Sequence, residues 1–137
     1  MNEQYQNRNQ TPARAEAAFG PFFNADGSLV LDWVGSKAEE TSREICNSIN
    51  GLTSTGLRNF FNEFLRIRSL PAGHAQEKIV LVKLLVAKVQ YKRINKKAPD
   101  IFAKFITALV NEIGEDLDRF EKACLIMEAM VGFNPKK

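Results

Sequence analysis

The chain has 137 residues, enough for one domain with a hydrophobic core, and its 45% hydrophobic and 26% charged residues are ordinary for a globular protein. No apolar run reaches the roughly 18 residues that a membrane-spanning helix needs, so we expect no membrane contact. The polar residues 1–14 lack the apolar stretch of a secretory signal, which predicts a cytoplasmic protein.

The net charge of +3 conceals a strong asymmetry along the chain. Residues 51–97 contain 10 Lys and Arg against 2 Asp and Glu. Residues 1–50 contain 4 against 7, and residues 98–137 contain 5 against 7. Positive charge concentrated in one part of the chain is what binding to a polyanion requires.

The first 28 residues are rich in Asn, Gln and Gly and are predicted to be loosely ordered. The phenylalanine cluster in residues 19–23 is the exception, because it could pack on the domain or on a partner. Leu29, Leu31 and Trp33 alternate with other residues and allow a short extended lead-in. We therefore predict a flexible N-terminal segment over residues 1–35 and a single α-helical bundle domain over residues 36–135.

Two helices are predicted before the middle of the chain. Ser36 and Glu39 have the spacing of a capping box, which begins a helix of about residues 36–50 that Gly51 ends. Thr53 or Ser54 caps the second helix. The aromatic stripe of this second helix repeats at helical spacing and is interpreted as core rather than as a platform for nucleobases.

A long third helix is predicted over about residues 75–97. Its apolar run at 79–89 indicates a position at the centre of the bundle. Pro99 is tolerated in the first turn of the fourth helix, and Gly114 ends that helix before acidic residues begin the fifth. The fold class is therefore all-α, a compact bundle of about five helices with a loosely ordered N-terminal segment.

The sequence offers little catalytic chemistry. Cys46 and Cys124 are far apart and are interpreted as buried free thiols. His74 is the single histidine and lies in a Gly-containing turn, where a surface position is expected. No phosphate-binding glycine loop and no metal-ligand spacing is present. We expect no catalytic residue, no metal site, no cofactor and no enzymatic activity.

The end of the third helix carries a dense set of basic residues. Lys88, Lys92 and Lys96 are spaced by four, and Lys83 and Lys97 share a second face with Arg93 nearby. Like-charged neighbours on a helix cost roughly 0.2–0.5 kcal/mol per pair, and residues 83–97 contain no acid to offset this. The pattern predicts an external polyanion, although a solvated lysine-rich face is the plainer alternative.

Arginines on the second helix could extend this surface. Arg58, Arg66 and Arg68 are the candidates, and a guanidinium grips phosphate with two parallel hydrogen bonds where Lys acts as a point charge. Tyr91 could stack on a nucleobase or pack, and packing is favoured. No sequence-reading motif is evident, so contacts to the nucleic-acid backbone are expected. The predicted RNA-binding residues are Arg58, Lys83, Lys88, Lys92, Arg93, Lys96 and Lys97.

Three segments together resemble the small subunit of the type III-A CRISPR interference (Csm) complex. Residues 52–64, LTSTGLRNFFNEF, are similar to the family's Leu-Thr-Thr/Ser-x-x-Leu/Ile-Arg-x-apolar pattern. Residues 81–83 followed by Lys92-Arg93 are similar to its basic central helix, with Lys88 where the family usually has tyrosine. Residues 118–133 resemble its final helix, and the resemblance covers about residues 50–133.

The resemblance implies a non-catalytic subunit present in several copies. Its partners would be the target RNA, the guide RNA backbone, the backbone and large subunits of the CRISPR complex, and further copies of itself in head-to-tail or dimeric contact. The copies would hold the target RNA backbone opposite the guide RNA, while RNA and DNA cutting would belong to other subunits. The match carries over to Arg58, Lys83, Lys92 and Arg93.

Two other classes of function are compatible with the residues alone. A helical protein-interaction adaptor would use its basic face for an acidic partner. A small helical DNA-binding regulator would show sequence-dependent binding to duplex DNA. Binding to single-stranded RNA distinguishes an RNA-binding subunit from both of these alternatives.

Overall fold

The computed structural model describes residues 19–135. Within that range the chain forms five α-helices and one isolated antiparallel bridge between Phe23 and Leu29, with no extended strand. The all-α fold class is confirmed. A 3₁₀ turn, Leu31–Val34, precedes the first helix and another, Ala72–His74, precedes the third. The helices are α1 Ser36–Asn47, α2 Ser54–Arg68, α3 Ala75–Ile94, α4 Asp100–Ile113 and α5 Leu117–Phe133.

The C-terminal helix α5 lies at the centre of the bundle. It packs against each of the other four helices, most extensively against α1 and α2. Seven of its side chains are buried, among them Phe120, Met127 and Met130. Helix α3 packs mainly against α4 and more lightly against α2 and α5.

The predicted central position of α3 is wrong. Only Val82, Leu85 and Val89 of this helix are buried, and they form one narrow stripe. Val80 and Leu84, inside the apolar run, are 49% and 46% exposed. The apolar run therefore includes residues on the exposed face of α3 as well as on its buried face. A run of apolar residues alone does not show that a helix lies inside the bundle.

Aromatic side chains from several elements fill the core. Phe60 and Phe64 of α2 contact Phe102 of α4 and Phe120 of α5, and the Phe64 and Phe120 rings stack with centroids 5.8 Å apart. The interpretation of the α2 aromatic stripe as core is confirmed, since these rings are at most 2% exposed. Such ring pairs add roughly 0.5–1.5 kcal/mol each to the energy of burial.

Residues 19–34 cover one side of this core. Phe22 and Trp33 are buried, and the Trp33 indole N–H donates a 3.1 Å hydrogen bond to the carbonyl of Pro21. The carboxylate of Glu112 accepts the backbone N–H of Phe22 at 2.9 Å. Of the two options for the phenylalanine cluster, packing on the domain is therefore the one observed.

The predicted division at residue 35 concerns the same region. The described part of the predicted flexible segment, residues 19–35, packs on the helices. Residues 1–18 lie outside the described residues, so for them the predicted segment stays a prediction.

Several helix ends differ from their predictions. The capping box is wrong: Gly35 is the N-cap of α1, and the Glu39 amide donates to the Gly35 carbonyl at 3.0 Å. Helix α1 ends at Asn47, so Gly51 is not its first residue beyond the cap. Glycine is still required there, because a Cβ at Gly51 would collide with the Cys46 carbonyl.

The caps of α2 and α5 follow the sequence. Thr53 Oγ1 accepts the Gly56 amide at 3.2 Å, as predicted for the N-cap of α2. Asp116 accepts the amides of Asp118 and Arg119 at the start of α5, where acidic residues were expected. These side-chain acceptors satisfy N–H groups that the first turn of a helix leaves unpaired.

Replacing Trp33 by alanine tests whether residues 19–34 belong to the folded domain. The indole is 1% exposed, so we expect Trp33→Ala to lower the free energy of unfolding by about 3–5 kcal/mol. Leu31→Ala is the control, because Leu31 lies on the same 3₁₀ turn but is 76% exposed, and its effect should stay within about 0.5 kcal/mol. Urea denaturation measures both, and equal small effects would show that this segment does not stabilise the bundle.

Candidate nucleic-acid interface

A groove between α2 and α3 brings together three of the predicted RNA-binding residues. We call it the lysine groove; its volume is about 530 Å³, and it is lined by Asn59, Phe60, Glu63, Leu84, Ala87, Lys88, Tyr91, Lys92 and Lys97. Lys88, Lys92 and Lys97 supply its positive charge. The remaining lining is largely apolar, so the groove combines cationic side chains with an apolar surface.

The end of α3 explains how Lys97 reaches this groove. The helix ends at Ile94 rather than at residue 97, and Lys96 has a φ of 61°, in the left-handed region. The Lys97 amide then donates to the Lys92 carbonyl at 2.8 Å, which folds the chain back onto the last turn. This closing bond is of the kind that commonly ends helices at a left-handed residue.

The spacing argument for Lys96 is consequently wrong. Lys88 and Lys92 share a face of α3, but Lys96 lies beyond the helix and outside the lining of the groove. Lys97 joins Lys88 and Lys92 instead, through the turn rather than through helical periodicity. Periodicity identified the basic cluster but not which of its last two lysines lines the groove.

Lys88 has an acidic partner on the neighbouring helix. Its ammonium donates to the Glu63 carboxylate at 2.7 Å, and Arg66 contacts the same carboxylate at 3.2 Å. The hydrogen bond from Lys88 lowers the pKa of Glu63 below its ordinary value, so this carboxyl is ionised at neutral pH. The inference that the basic helix has no internal counter-charge is wrong, because the acid comes from α2.

Arg93 is also engaged within the fold. Its Nε donates to the Gln90 side-chain oxygen at 2.8 Å, and its guanidinium lies 3.8 Å from the Asp100 carboxylate at the start of α4. Arg93 is half-buried and is absent from the lining of the lysine groove. By contrast, neither Lys92 nor Lys97 forms an ion pair within residues 19–135.

Two predicted residues lie on other surfaces. Lys83 is exposed on the outer side of α3, where helical spacing groups it with Val80 and Ile94. Arg58 lines a separate groove of about 480 Å³, together with Arg68 of α2 and Glu128 of α5. The fold therefore brings together only Lys88, Lys92 and Lys97 of the predicted set.

Tyr91 is the functional candidate that sequence reasoning placed incorrectly. Packing was favoured, but its side chain is 69% exposed and forms part of the wall of the lysine groove. Its exposure was not readable from the sequence, because it depends on the narrow buried stripe of α3.

The two cysteines and the histidine do not line the lysine groove. Cys46 and Cys124 are free and buried, and burial raises the pKa of the Cys124 thiol to about 12. A thiol with so high a pKa is a poor nucleophile. His74 is exposed and lies 2.9 Å from the Glu77 carboxylate. No group of three or more potential metal ligands occurs between residues 19 and 135.

No helix in the described part of the chain is long and apolar enough to cross a membrane.

No curated protein and no solved structure matches the chain. The family model for Csm2 Type III-A matches residues 30–134, which include all five helices and every predicted RNA-binding residue. Because the match extends over most of the chain, this protein belongs to the Csm2 Type III-A family, the small subunits of the type III-A CRISPR complex.

Proposed function

We propose that this chain is a non-catalytic, RNA-binding small subunit of the type III-A effector complex. In several stacked copies it would hold the backbone of the target RNA opposite the guide RNA. Family membership supports association with the other subunits of the complex. The grip on RNA is our inference from the lysine groove, and cutting of nucleic acid would belong to other subunits.

The observation that carries this proposal is the convergence of Lys88, Lys92 and Lys97 on one groove. Two of the three ammonium groups are not engaged by carboxylates within residues 19–135. Because each cationic side chain that neutralises a phosphate releases a condensed counterion, such a groove favours a polyanion over an acidic side chain. Amine-to-phosphate contacts carry no sequence information, which suits a subunit that must accept any target sequence.

The expected binding is weak for one isolated copy. If about 3–5 phosphates are neutralised per subunit, log K should fall with log salt at a slope near −2 to −3.5 for a single strand. Stacked copies on one RNA would bind more tightly, since each bound copy raises the effective concentration of the strand for the next.

Two exposed surfaces support stacking of copies. The first, on α5 and the preceding 3₁₀ turn, exposes Leu31, Leu125 and Phe133 and includes Glu128. The second is the outer side of α3, where Val80 and Ile94 are exposed beside Lys83; helical spacing makes it continuous with the wall of the lysine groove that includes Tyr91. Both expose apolar side chains, and Glu128 on the first and Lys83 on the second carry opposite charges, so these two groups could pair between one copy and the next.

The adaptor hypothesis is the alternative. The exposed apolar residues of α3 favour a protein contact, and an acidic protein could occupy the lysine groove. Under that hypothesis salt-sensitive protein binding would occur without binding to RNA.

Replacing two groove lysines separates the effect of the lysine groove from the effect of net charge. We expect Lys92→Gln/Lys97→Gln to weaken binding to a single-stranded RNA of about 12 nucleotides by about tenfold or more at about 50 mM salt. The magnitude of the salt slope should fall by about 1.4, because two phosphate contacts are lost. Fluorescence anisotropy at about 50 and about 200 mM salt measures both quantities.

The matched control is Lys83→Gln/Lys96→Gln, which removes the same charge outside the groove. Its smaller effect on affinity would assign binding to the groove. Equal effects would instead assign binding to the general field of the protein, and no RNA binding by the wild type would favour the adaptor.

Charge reversal tests the proposed contact between stacked copies. Lys83→Glu and Glu128→Lys should each abolish self-association of the chain, because each places like charges across the proposed contact. The double variant should restore self-association, which sedimentation velocity detects. Loss in both single variants without rescue in the double variant would contradict this pairing of surfaces.

A further inference from the structure

Tyr91 is an exposed aromatic ring between two lysines of the groove. It follows Lys88 by three residues on α3 and directly precedes Lys92, and 69% of the side chain is exposed. Leaving an aromatic ring in water forgoes the stabilisation that its burial would provide. No such exposure occurs for the phenylalanines of the neighbouring α2, which are at most 8% exposed. The ring is therefore available to a ligand.

The surroundings of the ring define what that ligand must be. Leu84 and Ala87 extend the apolar surface beside Tyr91, and Asn59 of α2 adds one side-chain amide. An amide both donates and accepts hydrogen bonds, which matches the edge of a nucleobase. A volume of about 530 Å³ lies within the ordinary range for small-molecule sites, about 300–1,000 Å³.

The lysines distinguish a nucleotide from other flat apolar ligands. Lys92 and Lys97 line the same groove and have no ion pair within residues 19–135, so a ligand seated there must suit two ammonium groups. A single-stranded nucleic acid supplies a flat π-face and an adjacent phosphate together. Combining basic side chains with aromatic rings is how proteins bind single strands without reading their sequence.

We propose that Tyr91 is the stacking platform of a nucleobase subsite in the lysine groove. One unpaired base packs its face on the phenol ring, Asn59 meets the base edge, and Lys92 and Lys97 hold the flanking phosphates. The subsite rests on the proposed RNA binding and adds a requirement to it: the strand must present a base that is free of stacking neighbours. Any of the four bases fits, because every base has a π-face.

The test is binding of single-stranded RNA and of an abasic RNA of the same length and charge. Tyr91→Ala should weaken binding of the base-containing strand by about 5- to 100-fold. Its salt slope should equal that of the wild type, because stacking releases no counterions from phosphate. Tyr91→Phe and Tyr91→Trp should retain most of the affinity, since they keep an aromatic face.

The abasic strand separates stacking from charge. The wild type should bind it more weakly than the base-containing strand, whereas for Tyr91→Ala the difference between the two strands should be much smaller. Ile94→Ala is the control, because Ile94 is 66% exposed on the same helix but lies outside the lining of the groove. Circular dichroism checks that the variants fold, which is expected at such exposed positions.

A fluorescence readout reports stacking directly. The chain has one tryptophan, Trp33, which is buried, so the indole of Tyr91→Trp supplies a second and exposed fluorophore. Base-containing RNA should quench this added emission, and abasic RNA should leave it unchanged. Equal quenching of a Leu31→Trp variant, whose indole would be exposed on a different surface, would overturn the proposal.

Two failures can be told apart. If Lys92→Gln/Lys97→Gln weakens binding while Tyr91→Ala does not, the groove holds phosphates only and the subsite is overturned. If the wild type binds neither the base-containing strand nor the abasic strand, the proposed RNA binding is wrong and the subsite is wrong with it. A Tyr91→Ala variant that binds RNA normally but no longer co-assembles with the other subunits would show a protein-contact role instead.

Discussion

Helix α3 packs on the bundle through the buried Val82, Leu85 and Val89 and the partly buried Leu81 and Val86, and the candidate interface depends on the opposite face, which this packing leaves open. That opposite face of the helix is exposed to solvent. The exposed part carries both lysines and apolar side chains, including Leu84 and Tyr91. A helix buried on more sides would have enclosed Tyr91, and the groove beside α2 would have been filled by core packing.

The lysine groove also contains a carboxylate, Glu63, that competes with a phosphate for Lys88. Glu63 is held ionised by that lysine and by Arg66, and its pKa is below the ordinary value of 4.5. The stability that this pair contributes is present above the ordinary pKa and is lost as pH falls through the lowered value. At neutral pH a phosphate entering the groove must share Lys88 with a carboxylate. This competition favours weak binding by one copy and dependence on several copies in series.

Helical periodicity was sufficient for the fold class and the aromatic core, and the identity of the capping residues was sufficient for the caps of α2 and α5. It was insufficient for the position of α3, because an apolar run does not reveal whether neighbouring helices cover every side of a helix. The placement of Lys97 depended on a left-handed residue at Lys96, a position usually taken by glycine, so no turn signal marked it. The pairing of Lys88 with Glu63 joins residues 25 positions apart, which only tertiary contact determines.

The central claim is that phosphates enter the lysine groove, and Glu63→Gln tests it most directly because it should improve binding. Removing this carboxylate frees Lys88, so the affinity for single-stranded RNA should rise severalfold and the salt slope should steepen by about 0.7. Glu77→Gln removes the same charge beside His74, outside the groove, and should change affinity much less. Anisotropy titrations of both variants decide the matter: tighter binding by Glu63→Gln alone supports the account, and equal or weaker binding contradicts it.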